Sequence, residues 1–533
     1  MAATPQTLAT TSAFEILGPV MVGPSSSHTA GALRCALVAA SLVGGDVRTV
    51  EFTLWNSFAH TYRGHGTDRA LVAGILGLDT DDERIKDAFD LAERAGLSYR
   101  FNIAGDDASV HPNTVDIAMQ AADGTTAEVR GESLGGGKVR ISRINGVGVD
   151  ISGMYATVFV AHRDAPGALA GMCRLFAEAD VNIAFLRTYR TEAGGEAYTV
   201  FETDGAPTQD LLALVQQLEH VGYATLIEVP GASHTLPGVT NKEIFDDGAQ
   251  LLAACEREQK TIGRVMLERE AMMCGQKTAQ TQMRRVVEVM REETSAPIES
   301  PARSLGGFIG GEARLVSEKA PELAAHLMGT VQTDAVARAM AVLERSASMG
   351  VIVAAPTAGS AGVVPGSVLA VADALGCTEA QVESALFNAA AVGLCLSTTA
   401  CVAGAEGGCQ AEVGSASAMA ASALVELLGG TPAMCLDAAA IALQNLLGLV
   451  CDPVGGLVEV PCQNRNAIGV ANAFSAAQLA LSGISSLVPF DEMASVMLLV
   501  GHALPASLRE TAQGGVAQAP SAIAACARCQ GCA

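Results

Sequence analysis

Gly404-Ala-Glu-Gly-Gly-Cys409-Gln410 and Cys451-Asp-Pro-Val-Gly-Gly-Leu-Val-Glu-Val-Pro-Cys462-Gln-Asn-Arg465-Asn466 interrupt long Ala-rich runs that carry little charge. The runs read as buried helices, and Gly and Pro mark the loops between them. Each loop carries cysteine: Cys409 in the first, Cys451 and Cys462 at the two ends of the second. Gly and Pro beside a thiol let backbone N–H groups turn toward sulfur, the arrangement by which proteins hold an iron–sulfur cluster. Three thiolate ligands instead of four would leave one iron open. Any single buried cysteine is otherwise a small hydrophobe. That reading suits Cys395, Cys401 and Cys435, which sit in Ala-rich helical contexts.

Outward from these loops, composition narrows the class. The 533 residues suffice for two to four domains, and a hydrophobic content of 50% with only 4% aromatic residues gives the interior to Ala, Val, Leu and Gly. A net charge of −23 argues against nucleic acid or an anionic membrane surface as partner, because both call for a basic footprint. The N-terminus lacks a basic segment followed by an apolar core, so the chain is expected in the cytoplasm, where 14 cysteines read as ligands or buried thiols and not as disulfides. The uncharged run between Glu383 and Glu406 is long enough to span a membrane. Its Asn388, Ser397, Thr398 and Thr399, with no aromatic belt, read instead as a buried helix pair.

The fold expected is multidomain. Residues 1–150 alternate helix and strand signals and form a mixed α/β domain. Helices are expected at 29–43, 67–76 and 80–95, with strands at 49–55, 97–103, 115–119, 126–130 and 138–144. Gly135-Gly136-Gly137-Lys138 lacks the Ser/Thr of a phosphate loop and reads as a hairpin turn. Residues 153–229 read as a ferredoxin-like βαββαβ unit. In His162-Arg-Asp-Ala-Pro-Gly-Ala-Leu169 and Asp180-Val-Asn-Ile-Ala184 this unit resembles an ACT regulatory domain, and such domains commonly pair and bind a small effector. Residues 230–238 form the linker, and 239–533 an all-α domain that opens on a charged helical stretch, 241–293.

Two clusters in the first domain put histidine and hydroxyls at probable helix starts: Ser25-Ser26-Ser27-His28-Thr29 and Gly64-His65-Gly66-Thr67. Free N–H groups and the helix dipole there favour an anion such as a carboxylate. No histidine lies between Met340 and Val500, and no lysine follows Lys319. A base serving the cysteine loops therefore has to come from the other half, from His28 or His65, with the site between the halves. The missing lysine also removes the Schiff-base residue of a pyridoxal phosphate enzyme. Ala355-Pro-Thr357-Ala-Gly359-Ser360-Ala-Gly-Val-Val-Pro365 is a loop whose N–H groups and hydroxyls could meet a ligand.

Together, Gly18-Pro-Val-Met-Val-Gly-Pro-Ser-Ser-Ser-His-Thr-Ala-Gly31, Gly64-His-Gly-Thr-Asp68, the Thr357 loop, the three cysteine segments and Leu508-Arg-Glu-Thr511 resemble the iron–sulfur L-serine dehydratases over nearly the whole chain. The resemblance implies a single chain fusing the β half, with its ACT domain, to the α half. It implies a lyase that converts L-serine to pyruvate and ammonia, in amino-acid catabolism leading to gluconeogenesis. Cys409, Cys451 and Cys462 would hold a 4Fe-4S cluster, with His65, more than His28, as the base. Ser25, Ser26, Ser27, Thr29, Thr357, Gly359, Ser360, Arg465 and Asn466 would meet the substrate. Where many members have Asn-Ala-Ser-Ile-Ser and Thr-Asn-Gly, this chain has Thr399-Ala-Cys-Val-Ala403 and Thr357-Ala-Gly359, which bears on substrate preference. A lyase acting on L-cysteine and a non-catalytic cluster-bearing sensor are the alternatives. A homodimer or larger homo-oligomer is expected, and Cys532, one residue from the end, is a candidate fourth ligand that plugs the open iron at rest.

Overall fold

The computed structural model describes residues 11–43, 46–151, 155–190, 192–227 and 245–529. The described residues form two compact units. The α/β unit takes 19–227, 346–351 and 527–529; the helical unit takes 11–18, 245–345 and 352–526.

In the α/β unit, strands β1 (Val47–Trp55), β2 (Ser98–Gly105), β3 (Thr114–Ala121), β4 (Thr126–Gly135), β5 (Lys138–Ile144) and β6 (Val147–Ile151) form a sheet of order β2-β1-β3-β4-β5-β6. Along β3 the side chains of Val115, Ile117, Met119 and Ala121 are buried in alternation, as one packed face requires. Helix Ala32–Ser41 lies on this face. It approaches β4 closely because position 131 is glycine: a Cβ there would stand 2.8 Å from Cys35 Sγ. The turn joining β4 to β5 places Gly136 and Gly137 at φ +58° and +75°, so the glycine run is the expected hairpin turn and not a phosphate loop. The helix expected over 80–95 is split, with a 3₁₀ turn at Glu83–Asp87 before helix Ala88–Ala95. Strand β6, which follows the Asn145-Gly146 turn, was not among the expected strands.

Strands β7 (Ala156–Arg163), β8 (Ile183–Arg190), β9 (Glu196–Thr203) and β10 (Val221–Ile227) make an antiparallel sheet of order β10-β7-β9-β8, the ferredoxin-like arrangement expected. Helices Ala168–Glu178 and Gln209–Gln216 cover one face, closing a core of Val158, Val160, Met172, Phe176, Phe201 and Val215. The Ser41 carbonyl, at the end of helix Ala32–Ser41, accepts hydrogen bonds from the Tyr223 hydroxyl (3.3 Å) and Thr225 Oγ1 (3.1 Å) of β10.

In the helical unit, Val363–Leu375, Glu379–Thr399, Ser415–Leu427, Pro432–Asn445 and Cys462–Leu481 pack side by side. Ser415–Leu427 is buried almost throughout, which its Ala and Ser side chains allow at short interhelical distance. Ala358–Leu375 and Glu379–Thr399 are long and apolar enough to cross a membrane, and both are mostly buried inside the unit. The uncharged run expected as a helix pair is one helix, Glu379–Thr399, followed by a loop. Conversely, the charged stretch 241–293 yields three helices, Gly248–Glu258, Ile262–Cys274 and Gln276–Glu299, broken at Gln259 (φ +53°) and Gly275 (φ +84°). The N-terminal stretch also belongs here: Ser12 Oγ and the Ala13 N–H donate to Glu270 at 2.6 and 2.8 Å, and Phe14 packs edge-on against Phe387. These contacts, not chain order, draw 11–18 out of the α/β unit.

Candidate functional site

The helical unit brings the three cysteines of the loops together. The Cys451 thiol lies within electrostatic reach of both Cys409 and Cys462, and Cys462 within reach of Cys409. Cys409 immediately precedes the π-helical turn Gln410–Gly414 that runs on into helix Ser415–Leu427, and Cys462 is the first residue of helix Cys462–Leu481. Two of the three sulfurs therefore sit at helix N-termini, where the dipole favours a thiolate. Cys451 is extended, bridged to Arg509: its N–H donates to Leu508 O (2.9 Å) and its carbonyl accepts from the Glu510 N–H (2.8 Å).

Burial dominates the protonation of these thiols. It pushes Cys409 up to about 12, with Glu412 adding to the shift, while the Arg465 guanidinium opposes it. Cys451 and Cys462 are raised well above the usual thiol value, by burial first and then by Glu412 and Cys409 respectively. Among the described residues no three His, Cys, Asp or Glu side chains converge as ligands of a single ion would. A cubane cluster asks for something different, since each cysteine binds a separate iron. Three free thiols, Cys409 and Cys451 buried and Cys462 half-buried, with two at helix N-termini and the Arg465 guanidinium near Cys409 and Cys462, are a donor set that fits such a group.

The surrounding side chains are wired into the backbone. Arg465 Nη1 donates to Val450 O (2.7 Å), and Nη2 pairs with Asp452 at 2.8 Å. Asp452, 2% exposed, also accepts the Val516 N–H. Asn466 is fully buried; its amide donates to Gly359 O and Cys462 O and its oxygen accepts from the Gly362 N–H. Asn466 thus pins the Thr357 loop to the Cys462 helix. Thr357 Oγ1 donates to Glu412 Oε1 (2.8 Å) and lies 3.1 Å from Ser360 Oγ. Helix Pro520–Cys526 packs on the turn Val454–Gly456 between Cys451 and Cys462. Cys532 lies outside the described residues. Cys401 is not helical as expected but follows the end of helix Glu379–Thr399, its thiol 3.2 Å from Glu406.

The α/β unit gathers the histidine cluster. The π-helical turn Ser26–Gly31 precedes helix Ala32–Ser41, and Ser25 caps it through the His28 N–H. His28 Nδ1 is 2.9 Å from Ser27 Oγ and 3.3 Å from Ser25 Oγ, and Nε2 is 2.8 Å from Ser57 Oγ. The His28 and His65 rings face each other at 4.5 Å between centroids, and Thr29 Oγ1 donates to the His65 carbonyl. Ser26 is buried in the same turn. His65 is 1% exposed, and neither ring nitrogen has a hydrogen-bond partner among the described residues; the Thr67 hydroxyl is likewise unpartnered. Burial lowers His65 to about 4, and burial with His65 as neighbour lowers His28 well below the usual imidazole value. Both rings are neutral near pH 7.

Residues that sequence reading passed over are Ser57, Glu412, Asp452 and Glu510. Asp452 and Glu412 were findable by their place one and three residues after a cysteine. Glu510, in Leu508-Arg-Glu-Thr511, has φ +63°, and burial with Glu412 beside it pushes its carboxyl up to about 8.

Comparison with known proteins follows the same division. Residues 12–143 match the family model for the serine dehydratase beta chain, 156–220 that for the ACT domain, and 257–517 that for the serine dehydratase alpha chain. A probable L-serine dehydratase alpha chain of Bacillus subtilis is 45% identical over 281 residues, 52% of this chain and 93% of that protein. The L-serine dehydratase beta chain of Peptoniphilus asaccharolyticus is 42% identical over 218 residues, 41% of this chain and 98% of its own. An L-serine dehydratase of Streptomyces coelicolor is 30% identical over 521 residues, 95% of this chain and 98% of that protein. The chain belongs to the L-serine dehydratase family of lyases, with beta, ACT and alpha segments joined in one polypeptide.

Proposed function

We propose that this chain eliminates water from L-serine to give pyruvate and ammonia, using a 4Fe-4S cluster held by Cys409, Cys451 and Cys462. The observation that carries the reading is the gathering of three loop-borne thiols in a chain whose relatives over 95% of its length are L-serine dehydratases. When bound, the cluster supplies a Lewis-acidic iron that stabilises the departing hydroxyl. The chain's own residues do the rest. A neutral His65, its ring nitrogens uncommitted, takes the α-proton. His28, engaged by serine hydroxyls on both nitrogens, orients the neighbourhood. Ser25, Ser26, Ser27 and Thr29 offer hydroxyls to the substrate carboxylate, and the Thr357 loop serves the amine. Arg465 and Asn466 act by holding the cysteine loops in place.

The terminal thiol of Cys532 belongs to the same proposal as a resting plug. Six residues separate it from the end of helix Pro520–Cys526, a reach of roughly 20 Å. The enzyme is taken to work in the cytoplasm as a homodimer or larger homo-oligomer. The deciding experiment is anaerobic purification, with iron, sulfide and pyruvate release measured on one sample. Cluster-loaded protein turning over L-serine is expected. Turnover of L-cysteine alone would move the reading to a desulfidase, and loaded protein without turnover to a sensor.

A further inference from the structure

Glu412 is an acid within electrostatic reach of all three thiols, and its two oxygens differ. Oε1 accepts from Thr357 Oγ1 at 2.8 Å; Oε2 has the Cys451 thiol, at 3.8 Å, as its one hydrogen-bond partner among the described residues. Two glycines let the backbone pack closely on the carboxylate: a Cβ at position 404 would stand 2.5 Å from Oε2, and one at 359 would stand 3.2 Å from Oε1. Of the neighbouring acids, Asp452 serves Arg465 and the Val516 N–H, Glu406 lies against Cys401 and His502, and Glu510 is held toward its neutral form by burial and by Glu412 itself. Arg465, the nearby guanidinium, is itself committed to Asp452 and Val450 O.

A cysteine that ligates metal does so as thiolate and donates no hydrogen bond. Cys451 in that role leaves Oε2 without a donor and beside an anionic sulfur, in a partly buried place where an unmatched carboxylate oxygen is costly. The missing element is a cationic N–H donor. We propose that Glu412 is the residue that selects an α-amino acid, its Oε2 receiving the substrate's α-ammonium group. This rests on the reading of Cys451 as a cluster ligand, and it gives Thr357 the task of aiming the carboxylate.

The test uses two ligands that lack a β-leaving group, L-alanine and L-lactate, which differ in ammonium against hydroxyl. Calorimetric titration of the anaerobic cluster-loaded protein should show wild type preferring L-alanine. Glu412→Gln should weaken L-alanine about tenfold to a hundredfold, the range for a hydrogen bond to a charged group, and leave L-lactate unweakened with iron and sulfide content intact. Equal loss for both ligands, or no loss, overturns the proposal. If Glu412→Gln does not load iron, Thr357→Val decides: a selective loss of L-alanine supports the assignment, and an equal or absent loss overturns it. A wild-type protein that prefers L-alanine yet releases no pyruvate from L-serine fails the proposed reaction and not this assignment.

Discussion

The cysteine loops and the histidine cluster solve opposite problems. Around the thiols, Asn466, Arg465, Asp452 and Gln410 are bonded to backbone groups, so the loops hold their shape through buried hydrogen bonds. Around His65 both ring nitrogens and the Thr67 hydroxyl are buried without partners among the described residues. Buried polar groups are ordinarily satisfied, and one left open is a place where something is missing. One region is thus built to keep its own geometry, the other to receive a partner, and substitutions should separate the two.

The largest effect falls on the thiols. Cys451→Ala should abolish iron retention and activity together, whereas Cys435→Ala, inside helix Pro432–Asn445, should keep both. Full iron in Cys451→Ala would remove it from the ligand set. Next comes the open ring: His65→Ala should lower turnover by about 10²–10⁴-fold with iron content unchanged, the range for a lost general base. The same histidine sets a pH signature. With the folded ring at about 4 against an ordinary 6.5, the unfolded chain takes up a proton between those values and the folded one does not. Stability should therefore fall as pH drops from 6.5 towards 4, by ~3 kcal/mol for this group, and be flat in this respect above 6.5. His65→Gln should remove that slope in thermal melts recorded across pH; an unchanged slope would mean the ring is not the group responsible.

A smaller effect tests the rigidity of the cysteine loops. Asp452→Asn leaves Arg465 without its buried counter-charge and should cost about 3 kcal/mol, read as a lower melting temperature with faster iron loss in air. The smallest is a control in the ACT segment. Thr208 caps helix Gln209–Gln216 through the Leu211 N–H, so Thr208→Ala should cost ~1 kcal/mol and leave iron and turnover untouched. A change in turnover there would tie the ACT segment to the chemistry.

Legibility followed the range of the interactions. The βαββαβ order of the ACT segment was readable, because alternation, caps and turns are local signals; strand Lys138–Ile144 and the glycine hairpin before it came out as expected for the same reason. Cys401 was misplaced because Ala-rich flanks do not reveal where a helix stops. The break at Gln259 in the charged stretch was missed because this residue takes a left-handed backbone that its side chain does not advertise. Glu510 went unassigned because an acid there gains meaning only beside groups that are distant in the chain.

The sequence by itself determined which chemistry is possible. It placed cysteines in Gly/Pro loops, confined the histidines that could serve as a base to the first half, and withheld lysine from the last 214 residues. Tertiary structure decided which of those groups are free to act. His28 and His65 look equivalent as residues in glycine- and serine-rich turns, yet folding gives His28 three hydroxyls and His65 none. It also carried residues 11–18 into the helical unit, where Glu270 receives the Ser12 hydroxyl and the Ala13 N–H. The physical reason is common to both: composition fixes pKa classes and helix breaks locally, while desolvation and hydrogen-bond saturation are set by whatever the rest of the chain brings alongside.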